Sequence, residues 1–254
     1  MLSHSMAKIA INLGTWTEKE IDDLLGRTGR WRESSQRIVV LSERFLGTEY
    51  GESTLIGDVH NQEVLVVNFE RVDCFTLIDY VEALRLSGSF EKFEENLVRV
   101  RYQHGELSYL RRNHFFTDWI DFNEKHVVDA TIAVGGQAVA RTVKTLNLRE
   151  DGTFFLDGIA PRSREIRYIP GESVGIKVFA GLKTGDYAGI YSERAGLDVS
   201  HVGIIIKDSE RVVLRHASSL QANRRVVDQD LKDYLADKPG LVILRPREAE
   251  VLRS

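Results

Sequence analysis

The residue of this sequence best suited to chemistry is Cys74, the single cysteine of the chain. It opens a segment in which Leu77, Ile78, Val81 and Leu84 form one apolar stripe, a spacing that predicts a helix. At the first turn of a helix, unpaired backbone N–H groups and the helix dipole stabilise a thiolate, so we expect a lowered pKa for this thiol. A lone cysteine cannot form an internal disulfide, which leaves two interpretations: a nucleophile or an inert core thiol.

Two histidines, His201 and His216, are candidate partners for the cysteine. They lie in two β-rich segments, 201–206 and 211–216, and the connecting residues 208–210 have the composition of a hairpin turn. A two-residue loop would place the two histidines directly opposite each other, and a longer turn would shift the register by one or two residues but keep the imidazoles close. One imidazole could then take the thiol proton while the other orients it, as in cysteine hydrolases; the alternative is simple cross-strand packing.

A cysteine hydrolase also needs hydrogen-bond donors for the oxyanion that forms when the sulfur attacks a carbonyl carbon. The backbone N–H of Cys74 supplies one such donor at the start of the helix. A side-chain donor could come from Asn68, which lies ahead of the cysteine, or from the phenol of Tyr50. Either residue could equally serve the fold, so the sequence names both as candidates.

The elements that must position these residues change in character along the chain. Helical spacing follows Thr17 and Glu20, which form a capping box, and recurs from Ser34, from Phe90 and around residues 114–122. Later segments are short, β-rich and separated by turn residues: 127–134, 165–169, 174–179, 187–191, 201–206, 212–216 and 241–244. Helices first and strands later predict an α+β fold, with helices packed on one face of an antiparallel β-sheet.

The chain shows no internal repeat, low-complexity tract or linker-like stretch that would mark a domain boundary. Its length is sufficient to bury a sizeable core. We therefore predict a single domain over residues 1–254, with an elaboration around residues 103–170.

Composition limits the classes of function. The chain is 43% hydrophobic and 28% charged, which is typical of a soluble globular protein, and its net charge of -4 gives no support for nucleic acid as a partner. No apolar stretch has the length of a signal-peptide core or a transmembrane segment. A leader removed before maturation would place the protein in the cell envelope, in the periplasm or outside the cell; otherwise we expect it in the cytoplasm. Composition indicates no oligomeric state.

Four motifs in this order resemble those of the NlpC/P60 peptidoglycan hydrolases: 45–51 (FLGTEYG), 73–76 (DCFT), 201–204 (HVGI) and 216–218 (HAS). The resemblance implies a papain-like fold with the nucleophile at a helix N-terminus. The long gap between Tyr50 and Cys74, and Phe-Thr after the cysteine where the main group has Ser-Gly, are similar to one branch, the DUF1460 or N-acetylmuramoyl-L-alanine amidase-like family. Similarity to that branch extends through residues 65–68, 100–102, 112–119 and 196–201.

The resemblance implies a cysteine amidase that acts on peptidoglycan fragments. It would cut the amide between N-acetylmuramic acid, with a 1,6-anhydro end, and L-alanine, through a thioester on Cys74 and with His201 and His216 completing the triad. No cofactor is expected. The alternatives are an endopeptidase that cuts the D-glutamyl to diaminopimelate bond, an acyltransferase with the same residues, and a wall-binding module without catalysis.

Further residues are candidates for substrate binding. Arg112, His114 and Trp119 offer a guanidinium and aromatic faces suited to a sugar or peptide, although aromatic residues at helical spacing are also typical of a core. Asp198 and Ser200 belong to this set through the similar segment just before the first triad histidine. The histidines follow no metal-ligand spacing and no second cysteine completes a zinc set, so we predict no metal site.

Overall fold

The computed structural model describes residues 8–248, so both ends of the predicted 1–254 domain lie outside the described residues. In chain order, the strands are β1 (Ile9–Asn12), β2 (Glu49–Tyr50), β3 (Leu65–Asn68), β4 (Arg71–Val72), β5 (Val127–Asp129), β6 (Ala140–Leu146), β7 (Arg162–Pro170), β8 (Tyr187–Tyr191), β9 (Val199–Lys207), β10 (Val212–Ala217), β11 (Val226–Asp230) and β12 (Gly240–Pro246). The helices are α1 (Glu18–Thr28), α2 (Ser34–Glu43), α3 (Cys74–Arg85), α4 (Phe90–Arg101), α5 (Phe116–Phe122), α6 (Thr131–Gly135), α7 (Ile176–Gly181) and α8 (Leu231–Leu235). No helix in this part of the chain is long and apolar enough to cross a membrane.

The main sheet has eight strands in the order β11–β10–β9–β8–β12–β7–β6, and β5 joins it by pairing with β12. All its ladders are antiparallel, whereas β1 with β3 and β2 with β4 form two small parallel ladders. The predicted combination of helices with a mostly antiparallel sheet is confirmed. The segment 103–170, predicted as an elaboration, contributes α5, β5, α6 and the edge hairpin of β6 and β7.

A hydrophobic core covers each face of the sheet, because neighbouring residues of a strand point to opposite sides. In β9, for example, Ile204 packs with residues of α1 to α5, whereas Ile205 packs with residues of α6, α7 and α8. The earlier helices therefore cover one face of the sheet, as predicted, and three short helices that the sequence analysis did not predict lie on the other face. The helices of the second layer have five or six residues each, which is too short to show a helical period in the sequence.

Helix α3, which begins at Cys74, is buried along residues 76–85. Its carboxylate Asp79 accepts hydrogen bonds from the Nε of Arg101 (2.8 Å) and from the indole N–H of Trp119 (3.0 Å). These two partners belong to α4 and α5. The contacts tie three helices together inside the core and fix the position of α3.

A second buried carboxylate of α3, Glu82, fixes the helix to the sheet. It accepts hydrogen bonds from the Nε and Nη2 of Arg85, at 2.8 and 2.6 Å, and from the hydroxyl of Tyr187 on β8 at 2.8 Å. Glu82 and Arg85 are shielded almost completely from solvent. The start of α3 is thereby held at a fixed place relative to the central strands.

Two of the predicted strands are wrong in part. The segment 174–179 overlaps helix α7, in which Val178 is buried. The segment 127–134 is a strand only as far as Asp129, whose carboxylate accepts the N–H of Thr131 at 2.8 Å where α6 begins. In both segments the β-branched residues indicated a strand, and local turn geometry together with packing on the sheet selects a helix instead.

Replacing Glu82 with Gln should strongly destabilise the fold, because the buried guanidinium of Arg85 loses its counter-charge. Breaking a buried ion pair in this way costs about 3–5 kcal/mol, so the midpoint of urea denaturation should fall markedly. The matched control is Glu95→Gln on α4, whose ion pair with Lys92 lies in solvent and whose loss should leave the midpoint almost unchanged. Equal losses in the two variants would contradict the role of Glu82.

Candidate active site

Cys74 is the first residue of α3, and the preceding residue Asp73 caps the helix. The Oδ1 of Asp73 accepts the N–H groups of Phe75 (2.9 Å) and Thr76 (2.7 Å), and the hydroxyl of Thr76 accepts the N–H of Asp73 (2.9 Å). This capping box satisfies the second and third N–H groups of the helix. None of these bonds uses the N–H of Cys74 itself, which stays available to a ligand at the helix start.

The sulfur of Cys74 lies against β9, where the ladder with β10 has ended. The N–H and C=O of Ile205 bond to Asp186 and Gly185, just before β8. Because the backbone groups of successive residues point to alternate sides of a strand, the N–H of Val202 faces β10 instead. The β9–β10 ladder ends at the pair Ile204–Arg215. Beyond this pair, the N–H of Val202 is directed at the sulfur and acts to lower the pKa of the thiol, which places Cys74 beside the part of β9 that carries His201.

Burial, followed by the charge of Asp73, raises the pKa of the Cys74 thiol to about 12. The N–H groups of Val202, Cys74 and Phe75 act in the opposite direction but do not outweigh burial. The lowered pKa expected from the helix dipole is therefore wrong for this structure. The resting cysteine is a protonated thiol that keeps a small solvent-accessible surface.

His201 and His216 are hydrogen-bonded to each other. The Nε2 of His201 lies 2.7 Å from the Nδ1 of His216, and the two rings are nearly perpendicular with centroids 4.9 Å apart. The hairpin turn is longer than two residues, since Lys207 pairs with Val212. Of the two registers that the sequence left open, the one with the longer turn is present, and its shift of two residues keeps both side chains on one face as diagonal neighbours.

Gly203 allows the two strands to approach closely at the histidines. A Cβ at this position would lie 2.9 Å from the carbonyl oxygen of Arg215 and 3.0 Å from the Cβ of His216. Any side chain at position 203 would therefore push the second histidine away from the first. The glycine of the HVG motif thus has a steric role beside the histidine pair.

Both imidazoles are neutral at neutral pH. Burial, followed by the neighbouring His216 and the charge of Lys238, lowers the pKa of His201 to about 3. Burial also lowers the pKa of His216, an effect that the Gln229 side chain and the charge of Asp228 oppose. The site therefore combines an uncharged thiol with an uncharged base, not a preformed ion pair.

Two tyrosines stand close to the sulfur. Tyr50 pairs with Val72, two residues before Cys74. Burial, followed by the negative charge that Cys74 carries as a thiolate, raises the pKa of Tyr50. The ring centroid of Tyr234 on α8 lies 5.1 Å from that of His216. Burial, followed by the negative charge that Cys74 carries as a thiolate, raises the pKa of Tyr234 to about 12. Tyr50 was a candidate from the sequence. No motif or spacing pointed to Tyr234, which a short helix after β11 brings to the site.

Asn68, the second candidate oxyanion donor, has a structural role. Its Oδ1 accepts the N–H groups of Glu70 (3.1 Å) and Arg71 (3.0 Å) in the turn between β3 and β4, and its own N–H donates to the hydroxyl of Tyr80 (2.9 Å). Tyr80 lies well inside α3, beyond its first turn. These contacts connect Asn68 to the turn and the helix interior and not to the sulfur of Cys74.

The candidate binding residues Arg112 and His114 form a cluster of their own. Arg112 makes two hydrogen bonds of 2.7 Å to the carboxylate of Glu63, and its guanidinium lies over the ring of Tyr109. The Nε2 of His114 bonds the carbonyl of Tyr109 at 2.8 Å, and burial lowers its pKa to about 4. The contacts of these two side chains are with this cluster and not with Cys74.

Trp119, Asp198 and Ser200 complete the predicted set. Trp119 is fully buried, and its indole N–H is used in the core of α3 and α5. Asp198 is buried and accepts both the N–H and the hydroxyl of Thr117, at 2.7 and 2.9 Å, which anchors the start of β9 to α5. Ser200 is exposed and precedes His201 in β9, so its side chain points to the opposite face of the strand.

Among residues 8–248, no group of three or more histidine, cysteine or acidic side chains is arranged to hold a metal ion. A cavity of about 410 Å³ opens between α5 and the strands β5, β7 and β12. Cys74, His201 and His216 do not line this cavity. The candidate site instead lies at the start of β9 and the end of β10, where Cys74 is only partly buried.

Several known proteins are similar to this chain. The AmiA-like family model, described as N-acetylmuramoyl-L-alanine amidase-like, matches residues 40–241. No curated protein sequence matches. A solved structure of an N-acetylmuramoyl-L-alanine amidase from Bacteroides uniformis is 26% identical, with a TM-score of 0.70 over 85% of this chain and 99% of that one.

Two further solved structures share the fold. A DUF1460 protein from Legionella pneumophila is 24% identical, with a TM-score of 0.77 over 91% of this chain and 95% of that one. A protein from Bacteroides fragilis described as a putative xylanase is 27% identical, with a TM-score of 0.67 over 81% of this chain and 99% of that one. The family match spans most of the chain and includes the cysteine and both histidines. The chain belongs to the AmiA-like family and is an N-acetylmuramoyl-L-alanine amidase-like enzyme.

Proposed function

We propose that this enzyme is a cysteine amidase of the NlpC/P60 type, with a papain-like active site, that cuts the amide between N-acetylmuramic acid and L-alanine in peptidoglycan fragments. The observation that carries the proposal is the placement of the thiol at the start of α3, against the N–H of Val202 and beside the bonded pair of His201 and His216. Membership of the amidase-like family and likeness to an amidase of known structure support the choice of bond.

The histidine pair determines which nitrogen acts as the base. The Nε2 of His201 is engaged with His216, so the Nδ1 of His201 is the nitrogen left for the thiol. For Nδ1 to accept a proton, the neutral ring must carry its hydrogen on Nε2 and donate it to the Nδ1 of His216. His216 thereby holds His201 in the tautomer that can deprotonate Cys74.

The first half of the reaction forms a thioester. The thiol proton of Cys74 passes to the Nδ1 of His201 as the sulfur attacks the amide carbonyl carbon, because neither group is charged beforehand. The resulting oxyanion accepts hydrogen bonds from the N–H of Cys74 and, we infer, from the phenol of Tyr50. Of the two candidates we choose Tyr50, because its phenol lies close enough to Cys74 for a charge on the sulfur to affect its pKa, whereas the hydrogen bonds of the Asn68 side chain are made within its own turn.

The second half releases the two products. The imidazolium of His201 gives its proton to the nitrogen of the L-alanine residue, and the C–N bond breaks to leave the muramoyl group on Cys74 as a thioester. Water then loses a proton to His201 and attacks the thioester carbonyl. The C–S bond breaks, the thiol is restored and the free muramic acid carboxyl group leaves.

A 1,6-anhydro sugar end is the substrate form that we propose, on the resemblance to the DUF1460 branch. The side chains of Trp119, Arg112 and His114 make structural contacts, so we do not assign them to the substrate. We assign direct substrate contact to the groups around the sulfur: Tyr50, Tyr234 and the N–H of Cys74. Asp198 positions the start of β9 through Thr117, and the side chain of Ser200 points to the face of β9 opposite His201.

Incubation with a defined anhydro-muropeptide should yield a free anhydro-sugar acid and an intact stem peptide, which mass spectrometry distinguishes from other cuts. Cys74→Ala and His201→Ala should each lower the rate by roughly 1,000-fold or more, because the nucleophile or its base is lost. A sugar still attached to a dipeptide would indicate an endopeptidase and contradict the proposed bond. The exposed His60 provides the matched control, and His60→Ala should retain full activity.

Alkylation of Cys74 by iodoacetamide should accelerate steadily from about pH 6 to about pH 10, because only the thiolate reacts and burial holds the pKa of the thiol at about 12. Protonation of His201, with a pKa of about 3, cannot create an ion pair in this range. Mass spectrometry reports the single labelled site without ambiguity. The protein unfolded in urea should instead reach its plateau above a midpoint of about 8.5. A plateau of the folded protein below that midpoint would contradict the neutral resting state.

A further inference from the structure

Two buried polar atoms beside the histidine pair lack a hydrogen-bond partner among the described residues: the Nε2 of His216 and the Oε1 of Gln229. His216 is 2% exposed, so solvent does not replace the missing partner. A buried polar atom without a partner costs free energy unless it serves a function or closes a bond that a small rotation would complete. The proposed reaction involves neither of these two atoms directly.

The sheet register places these two side chains together. In the ladder of β10 with β11, His216 pairs with Val227 and Leu214 pairs with Gln229. Gln229 is therefore the diagonal neighbour of His216 on the same face of the sheet. The Gln229 side chain also opposes the effect of burial on the pKa of His216, as a carbonyl oxygen near a ring N–H does.

The tautomers of the two histidines require an acceptor at this position. In the proposed reaction His201 donates from Nε2 to the Nδ1 of His216, 2.7 Å away, so His216 must carry its own proton on Nε2. That N–H points away from His201 and needs an acceptor. In the Gln229 amide, the atom that is buried without a partner is the oxygen and not the nitrogen. The oxygen is the atom that can accept this N–H.

We propose that Gln229 is a positioning residue for the amidase reaction: its carbonyl accepts the Nε2 proton of His216 and so fixes the tautomers of both histidines. The order of proton donation then runs from Cys74 to His201, from His201 to His216 and from His216 to Gln229. Without the carbonyl, His216 can hold its proton on Nδ1 and donate to His201. His201 would then carry its proton on the nitrogen that faces the thiol and could not act as the base. This inference rests on the proposed function for its effect on rate, but not for its effect on the tautomers.

The test compares Gln229→Met, which keeps the length of the side chain but removes the acceptor, with Gln229→Glu, which keeps an acceptor. With an anhydro-muropeptide as substrate, Gln229→Met should lower kcat by about 10- to 100-fold with little change in KM, the effect typical of an orienting partner behind a reactive group. Gln229→Glu should restore most of kcat. The exposed Gln62 gives the matched control, and Gln62→Met should behave as the wild type.

A second readout does not depend on turnover. Nitrogen chemical shifts of protein labelled with ¹⁵N-histidine report which ring nitrogen of His216 is protonated, and a His216→Ala variant assigns the signals. We expect Nε2–H in the wild type and in Gln229→Glu, and a substantial Nδ1–H population in Gln229→Met. A wild-type proton on Nδ1, or unchanged tautomers and kcat in Gln229→Met, would overturn the assignment. If the wild type hydrolyses no muropeptide, the proposed function fails while the chemical shifts still decide the role of Gln229.

Discussion

The docking of helix α3 against the sheet is the interaction on which the candidate site depends. Glu82 reaches Tyr187 on β8, and Asp79 reaches Arg101 and Trp119 on the neighbouring helices. Each carboxylate is buried with its partners, so small displacements of the helix would leave charges or donors unpaired at a cost of several kcal/mol. The helix start is held at the end of β9 by contacts made one to three turns away, and Cys74 itself needs no contact that would restrict its reaction.

The sequence predicted the parts of this arrangement that local signals encode. The Asp-Cys-Phe-Thr segment has the cap residue and the apolar stripe of a helix that begins at Cys74, and the structure has both. The capping box of Thr17 and Glu20 is likewise present at α1. The two strands that flank residues 208–211 could be predicted, because runs of β-branched residues on both sides of a polar turn favour a β-hairpin over other local structures.

Other parts could not be predicted because no local pattern encodes them. Strand β6 carries alternating polar residues at the sheet edge and is held by its pairing with β7, so its sequence lacks the apolar signature of a strand. Tyr234 and Gln229 reach the histidines through the return of β11 and α8 beside β10. A residue's neighbour across a ladder depends on register, and the length of the turn at residues 208–211 set a register that the sequence had left open.

The charges of the site are decided by two opposing effects, the helix dipole and burial, of which burial is the larger. A helix N-terminus stabilises a nearby negative charge by at most about 2 kcal/mol, whereas removing an ion from water costs several kcal/mol. Burial therefore keeps Cys74 protonated and His201 neutral. Such a pair transfers its proton only when a substrate carbonyl arrives to accept the sulfur, so the alignment of His201 matters more than the acidity of the thiol. Alignment is what the bond to His216 provides, and Gly203 provides the space for it.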